Sequence, residues 1–271
     1  MKKHYILFIL SLIIGQKSLY AQAITQITGF GTNPGNLNMY DYVPPGITGP
    51  VPLVIAMHGC TQNATQYAAQ TGWNKLADLH KFYVVYPEQV SANNSTECFN
   101  YYDTTKSDRN VGEALSIKQM VDYMKTHYNI DPSQIYVTGL SAGGGMTAVM
   151  MACYPDVFSK GAIMSGLPYK CATSYSGAVL ACGGYVTNTP QKWGAFARDQ
   201  NPGYKGAYPQ AMICQGTSDA TVNQTNATEL MKQWTNMNHA DQTADSTVNG
   251  FQGNTNVVES IYNDSTGVPV V

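Results

Sequence analysis

Apolar residues along the chain fall into short solid runs separated by stretches with helical spacing. The runs 51–57 (VPLVIAM) and 82–86 (FYVVY) read as buried strands, the second stopped by Pro87, and 135–138 (IYVT), 161–164 (GAIM) and 210–214 (QAMIC) read as further strands. Between them, 66–80 spaces Tyr67, Trp73, Leu76 and Leu79 as one helix would, and 111–128 does the same with Leu115, Met120, Val121 and Met124 until Asp131-Pro132 breaks it. Residues 146–153 and 223–238 read as further helices, the latter with Leu230, Met231 and Trp234 apolar. The stretch 168–190 looks like loop, and the β-prone pieces 257–262 and 268–271 flank an Asp264-Ser265-Thr266-Gly267 turn. Strand and helix in this alternation predict a mostly parallel sheet with helices on both faces. No repeat, linker or second domain is visible.

The first 23 residues follow a different pattern. Lys2-Lys3-His4, the apolar run 5–15 and the small-residue site Ala21-Gln22-Ala23 have the order of a secretory signal peptide, and the run is too short to span a bilayer. The expectation is a leader over 1–23 and a catalytic domain over 24–271. Such a protein is secreted, with the periplasm as the alternative compartment, and meets no membrane after cleavage. Losing Lys2, Lys3 and Lys17 would take the formal net charge from −2 to −5, and no basic stripe remains for nucleic acid. Charged residues make up only 12% of the chain, while 19 tyrosines and many amides and hydroxyls fill polar positions. Six cysteines in an exported chain suggest disulfides, with 15 connectivities open. No Cys/His cluster has metal-ligand spacing, so neither a metal nor another cofactor is expected.

The chemistry concentrates at Gly139-Leu140-Ser141-Ala142-Gly143. It follows a β-branched strand and opens an apolar helix, the context of a nucleophile elbow, in which a strained strand-to-helix turn lifts a serine hydroxyl above the sheet. Glycines two residues either side are required because side chains there would strike the neighbouring backbone. This predicts an α/β-hydrolase fold with Ser141 as nucleophile. Two amides must receive the developing oxyanion: one from Ala142, the other, in the loop leaving an earlier strand, from Cys60 of His58-Gly59-Cys60. Asp219, just past the fifth strand, stands where the acid of such a site lies. His58 precedes the serine and reads as a structural hydrogen-bonding residue. Only His239 follows Asp219, at the polar end of a helix, where a surface histidine is the simpler reading.

These motifs resemble a known family. His58-Gly59-Cys60-Thr61-Gln62, Thr71-Gly72-Trp73, Tyr86-Pro87-Glu88-Gln89, Cys98-Phe99-Asn100, the elbow with Gly144, Tyr154-Pro155-Asp156-Val157-Phe158 and Gly166-Leu167-Pro168-Tyr169 occur in order. As a set they resemble the poly(3-hydroxybutyrate) depolymerase family of esterases, itself similar to feruloyl and acetylxylan esterases. The resemblance implies an extracellular, cofactor-free Ser-His-Asp esterase, with Ser141 and Asp219 at the nucleophile and acid positions. There are two departures. Gln215 stands where the family often has a histidine, and the family's catalytic histidine belongs to a Gly-His loop after one further strand, of which 268–271 look like the start. The expectation is therefore a domain that is C-terminally incomplete, truncated before its last strand and catalytically impaired.

The leading substrate is a polyester such as poly(3-hydroxybutyrate). The alternatives are feruloyl or acetyl esters on plant polysaccharide, and a catalytically dead binding protein on the same fold. Cys60 and Cys98 flank loops that a disulfide would tie together, and Cys171 and Cys182 share one loop where a local bridge is expected. Cys153 and Cys214 are left open between bridged and free.

Overall fold

In the computed structural model, which describes residues 23–271, seven strands form one sheet in the order β1 (Thr25–Ile27), β2 (Asn38–Tyr42), β4 (Tyr83–Glu88), β3 (Val51–Met57), β5 (Ile130–Leu140), β6 (Lys160–Met164), β7 (Gln210–Cys214). The expected leader lies, up to residue 22, outside the described residues. From β4 to β7 all pairings are parallel, while β1 and β2 add an antiparallel edge. Among the described residues eight α-helices accompany the sheet: α1 (Ala64–Thr71), α2 (Trp73–His80), α3 (Thr104–Ser107), α4 (Gly112–His127), α5 (Ala142–Cys153), α6 (Tyr175–Cys182), α7 (Pro190–Arg198) and α8 (Thr225–Met237). A separate ribbon pairs β8 (Ser246–Asn249) with β9 (Val258–Ile261).

Alternation along β3 decides the layering. Leu53, Ile55 and Met57 point into the larger core with Ile117, Met120 and Met124 of α4 and Met146 and Val149 of α5. Val54 and Ala56 point the other way, against Tyr67 and Ala68 of α1 and Ala77 of α2. Each such buried aliphatic side chain contributes about 1.5–3 kcal/mol, so a one-residue slip of β3 would be prohibitive. The second face is covered only in part, and Met212 on β7 is 56% exposed.

Three expectations are corrected. The single helix over 66–80 is two helices, because Gly72 takes a left-handed conformation (φ 72°) that ends α1 and starts α2, and the turn leaves Leu76 and Leu79 exposed. Pro87 does not stop its strand. Beyond Val85 only β2 pairs with β4, and Met39 lies opposite Pro87, so the missing N–H is tolerated. The presumed loop 168–190 contains α6, whose N-cap Ser174 accepts from the Gly177 amide.

Residues 268–271 do lie beside the sheet. The Ala211 amide of β7 donates to Val270 O at 2.9 Å, and the Val270 amide donates to Tyr262 O at 2.8 Å. The outer edge of β7 is thus partly occupied.

Candidate active site

Ser141 joins β5 to α5 at the C-terminal edge of the sheet, with φ 56° and ψ −117°. This backbone state is costly for a residue with a side chain and persists only where its surroundings impose it. Its N–H donates to Met164 O at the end of β6, and its C=O accepts from Gly145 N, both at 2.9 Å. The flanking glycines are needed on distance grounds. A Cβ on Gly139 would sit 2.3 Å from Gly143 O, and one on Gly143 would sit 2.4 Å from Met57 O and 2.5 Å from His58 O. The expected elbow is thus present, with the β3 end pressed against the start of α5.

The loop leaving β3 approaches the serine closely. A Cβ on Gly59 would lie 3.5 Å from Ser141 Cβ. The Cys60 amide makes no hydrogen bond to any described residue, and Ser141 offers no side-chain cap to α5, whose first amide belongs to Ala142. Two N–H groups therefore border the serine unspent. Cys60 is bridged to Cys98, as expected, and Thr61 N donates to Thr96 O at 2.7 Å.

Asp219 follows β7 in a tight turn. Its Oδ1 accepts from the amides of Thr221 and Val222, both at 2.9 Å, and its Oδ2 accepts from Gln215 Nε2 at 3.1 Å. The Val222 and Thr221 amides, helped by the Ser165 and Gln215 side chains, hold the carboxyl below the usual carboxylate range. Ser165 N in turn donates to Cys214 O at 2.8 Å. A ladder of bonds thus crosses the ends of β5, β6 and β7, with Ser141 at one side and Asp219 at the other.

The family model described as "Esterase PHB depolymerase" matches residues 37–256. The chain belongs to this family. It is 48% identical over 268 residues to "Poly(3-hydroxyalkanoate) depolymerase C" of Paucimonas lemoignei, covering 98% of this chain and 63% of that protein. It is 35% identical to "Feruloyl esterase B" of Talaromyces stipitatus, over 89% of this chain and 68% of that one. Among solved structures, an acetyl xylan esterase from Aspergillus awamori superimposes with a TM-score of 0.84 at 31% identity, over 90% of each chain. The fold is that of the α/β-hydrolase esterases.

What this site lacks is an imidazole facing Ser141 and Asp219, among the described residues. His80 ends α2, three residues before β4 begins, and His127 ends α4, three before β5 begins, so both sit at the opposite edge of the sheet. His239 follows α8 at that same edge, since the neighbouring Asn238 side chain donates to Pro209 O just before β7. His58 is at the correct edge but fully buried, and both ring nitrogens are engaged: Nε2 accepts from Gln89 N at 3.0 Å, and Nδ1 lies 2.7 Å from Gly59 O.

The expected Cys171–Cys182 bridge is not formed, and both are free thiols. The segment between them is not one pliable loop. Cys171 closes a turn through its amide to Pro168 O, whereas Cys182 ends the rigid α6 with its sulfur 3.7 Å from the Tyr101 hydroxyl. Cys153 and Cys214 are free as well.

Sequence reading missed the groups that brace these loops. Gln215, noted only as a departure from the family pattern, ties Asp219 to Val222 O. Glu113 is fully buried at the start of α4 and accepts from Gln89 Nε2, Asn100 Nδ2 and Asn100 N at 2.7, 2.6 and 2.9 Å. Burial raises its carboxyl above the usual range. Gln89 lies within a quoted family motif, which was the one available signal for it. Nothing in the spacing of α4 marks Glu113.

Proposed function

We propose that this chain is an exported serine esterase whose substrate is a neutral, water-insoluble polyester of the polyhydroxyalkanoate class. Ser141 carries the reading: its imposed positive φ, beside two unspent amides, is the arrangement acyl transfer requires. Ser141 Oγ attacks the ester carbonyl carbon, and the oxyanion that forms is received by the Cys60 and Ala142 amides. Collapse of the tetrahedral species expels the alcohol end of the polymer and leaves an acyl-serine. Water then attacks the acyl carbon and releases a hydroxyacid or short oligomer. The Ser141 hydroxyl proton passes to a general base that returns it to the departing alkoxide oxygen, and Asp219, kept charged by the Val222 and Thr221 amides, would orient an imidazole in that role.

The polyester reading is supported by the surface next to the site. No charged residue occurs between Lys170 and Lys192. Within that stretch Tyr175, Val179, Leu180 and Tyr185 are 67%, 54%, 54% and 80% exposed. The stretch adjoins the acid loop, since Cys182 O accepts from Asn223 N at 2.8 Å, and the elbow helix, since the Tyr175 ring contacts Tyr102 and Tyr101 packs on Gly145. An apolar, uncharged rim suits adsorption to a solid polyester better than binding to a hydrated polysaccharide. Leu180→Asp with Tyr185→Ser is expected to weaken adsorption to polyhydroxybutyrate film while hydrolysis of soluble p-nitrophenyl butyrate is retained. Turnover of methyl ferulate without film binding would favour the feruloyl esterase reading. Ligand binding without any Ser141-dependent turnover would favour a binding protein.

A further inference from the structure

His58 takes no part in the proton relay, yet it is the fully buried histidine nearest the serine, and its two nitrogens define a tautomer. The group facing Nε2 is the Gln89 backbone amide at 3.0 Å, which can only donate, so Nε2 is unprotonated. In the neutral ring the proton is then on Nδ1, 2.7 Å from Gly59 O, and the ring donates there. Gly59 C=O and Cys60 N–H belong to one planar trans peptide and point in opposite directions. A donor fixed on the carbonyl side therefore sets where the amide points. It also polarises the peptide and strengthens the N–H as a donor, an effect of about 10–30% per bond in condensed phase.

We propose that His58 is a positioning residue for the oxyanion hole: its Nδ1–H, bonded to Gly59 O, holds the Gly59–Cys60 peptide so that the Cys60 amide faces Ser141. This rests on the reading of Ser141 as nucleophile and of the Cys60 amide as oxyanion donor. The ring is itself held from three sides. Gln89 donates to it from the end of β4, and the Gln89 side chain is anchored on Glu113 Oε1 at 2.7 Å and on Cys98 O at 3.2 Å. The Phe99 ring packs against it with centroids 4.9 Å apart. Gly59 O also accepts from Gln62 N at 3.3 Å, and in the preceding peptide Gly59 N donates to Gln62 Oε1 at 2.9 Å. Both the N–H and the C=O of Gly59 are thus engaged, while the Cys60 N–H of this loop is left for substrate.

Two substitutions separate positioning from simple bracing. In His58→Asn the side-chain amide nitrogen takes about the place of Nδ1, keeping the donor to Gly59 O and losing the acceptor for Gln89. In His58→Gln the terminal oxygen takes about the place of Nε2, keeping that acceptor and losing the donor. For Ser141-dependent hydrolysis of p-nitrophenyl butyrate, His58→Gln is expected to lower kcat about 10–100-fold with KM little changed, short of the 10²–10³ for outright loss of an oxyanion donor. His58→Asn is expected to keep most of kcat. The reverse ranking, or equal losses, overturns the proposal. If either variant fails to fold, the imidazole ¹⁵N spectrum of the wild-type chain at neutral pH decides. It must show Nδ1 protonated and Nε2 bare, and a proton on Nε2 overturns the proposal. A Ser141→Ala control keeps the two failures apart. Hydrolysis that survives it removes the nucleophile reading and this proposal together. Hydrolysis that is lost leaves only the role of His58 at stake.

Discussion

The two flanks of Ser141 are held by different means. On the oxyanion side the loop after β3 is bound to residues far along the chain: Cys98 through a disulfide spanning 38 positions, Gln89 through His58 across 31, and Glu113 through Gln89 across 24. These groups are mostly buried. On the acid side the Asp219 carboxylate is bound chiefly within its own turn, by residues 215, 221 and 222, with Gly216, Thr217 and Ser218 exposed around it. An oxyanion donor acts only if it is already aimed when charge develops, so long-range bracing suits it. An acid that orients a ring can tolerate a local, adjustable support. The oxyanion flank should therefore be the stiffer, and damage there should spread further.

The sharpest test of that asymmetry is a glycine pair. Gly143→Ala places a methyl 2.4 Å from Met57 O, where the β3 end cannot retreat without moving the whole loop. Its expected cost is about 3 kcal/mol, the upper part of the range for overpacking. Gly216→Ala meets its nearest atom, Asp219 Cβ, only at 3.9 Å, and its expected cost is within about 0.5 kcal/mol. Urea unfolding of both variants measures the difference. Equal costs would erase the distinction between the flanks.

Removing the disulfide comes next in size. Cys60→Ala with Cys98→Ala releases a separation of 38 residues and is expected to cost about 2–4 kcal/mol in thermal unfolding. Amide exchange should rise first at residues 59–62 and 96–100. Unchanged exchange there would mean that His58 and Gln62 hold the loop unaided.

On the acid flank the effect is smaller and depends on pH. Asp219 is depressed below its unfolded value, so its stabilisation is complete above that value and is lost as pH falls through the folded one. In Asp219→Asn that dependence disappears. The gap in melting temperature between wild type and variant should narrow as pH is lowered from about 6 towards about 2. A constant gap would show that the backbone bonds of Thr221 and Val222 do not favour the charged form.

The smallest effect is expected at His239. It lies at the opposite sheet edge, and His239→Ala should leave Ser141-dependent turnover unchanged. Turnover abolished by His239→Ala would contradict this placement.

How far these features could be read in advance follows from the range of the contacts. Strand 51–57 was legible because a solid apolar run signals burial directly, whereas 210–214 is a strand that buries only Ala211, and the elbow was legible because its glycines are close in sequence to the serine they free. The break at Gly72 was hidden by apolar spacing that runs across it. β1 and β2 lack a solid apolar run: 38–42, between β1 and β4, mixes polar and apolar positions and even buries Asp41, which accepts from the Tyr128 hydroxyl at 3.1 Å. The expected bridge between Cys171 and Cys182 failed because nearness in sequence does not imply pliability once a helix intervenes. The His58–Gln89–Glu113 chain was invisible for the opposite reason. Its members are tens of residues apart, and no periodicity connects them.

The central claim is that the strained turn at Ser141 presents a nucleophile, and one measurement addresses it most directly. The protein is treated with a fluorophosphonate and the labelled peptides are mapped by mass spectrometry. Ser165 is the informative competitor, since it too has a positive φ, of 44°, and its hydroxyl bonds Asp219. The account predicts phosphonylation at Ser141 alone and none in Ser141→Ala. A label on Ser165, or labelling that persists in Ser141→Ala, would contradict it.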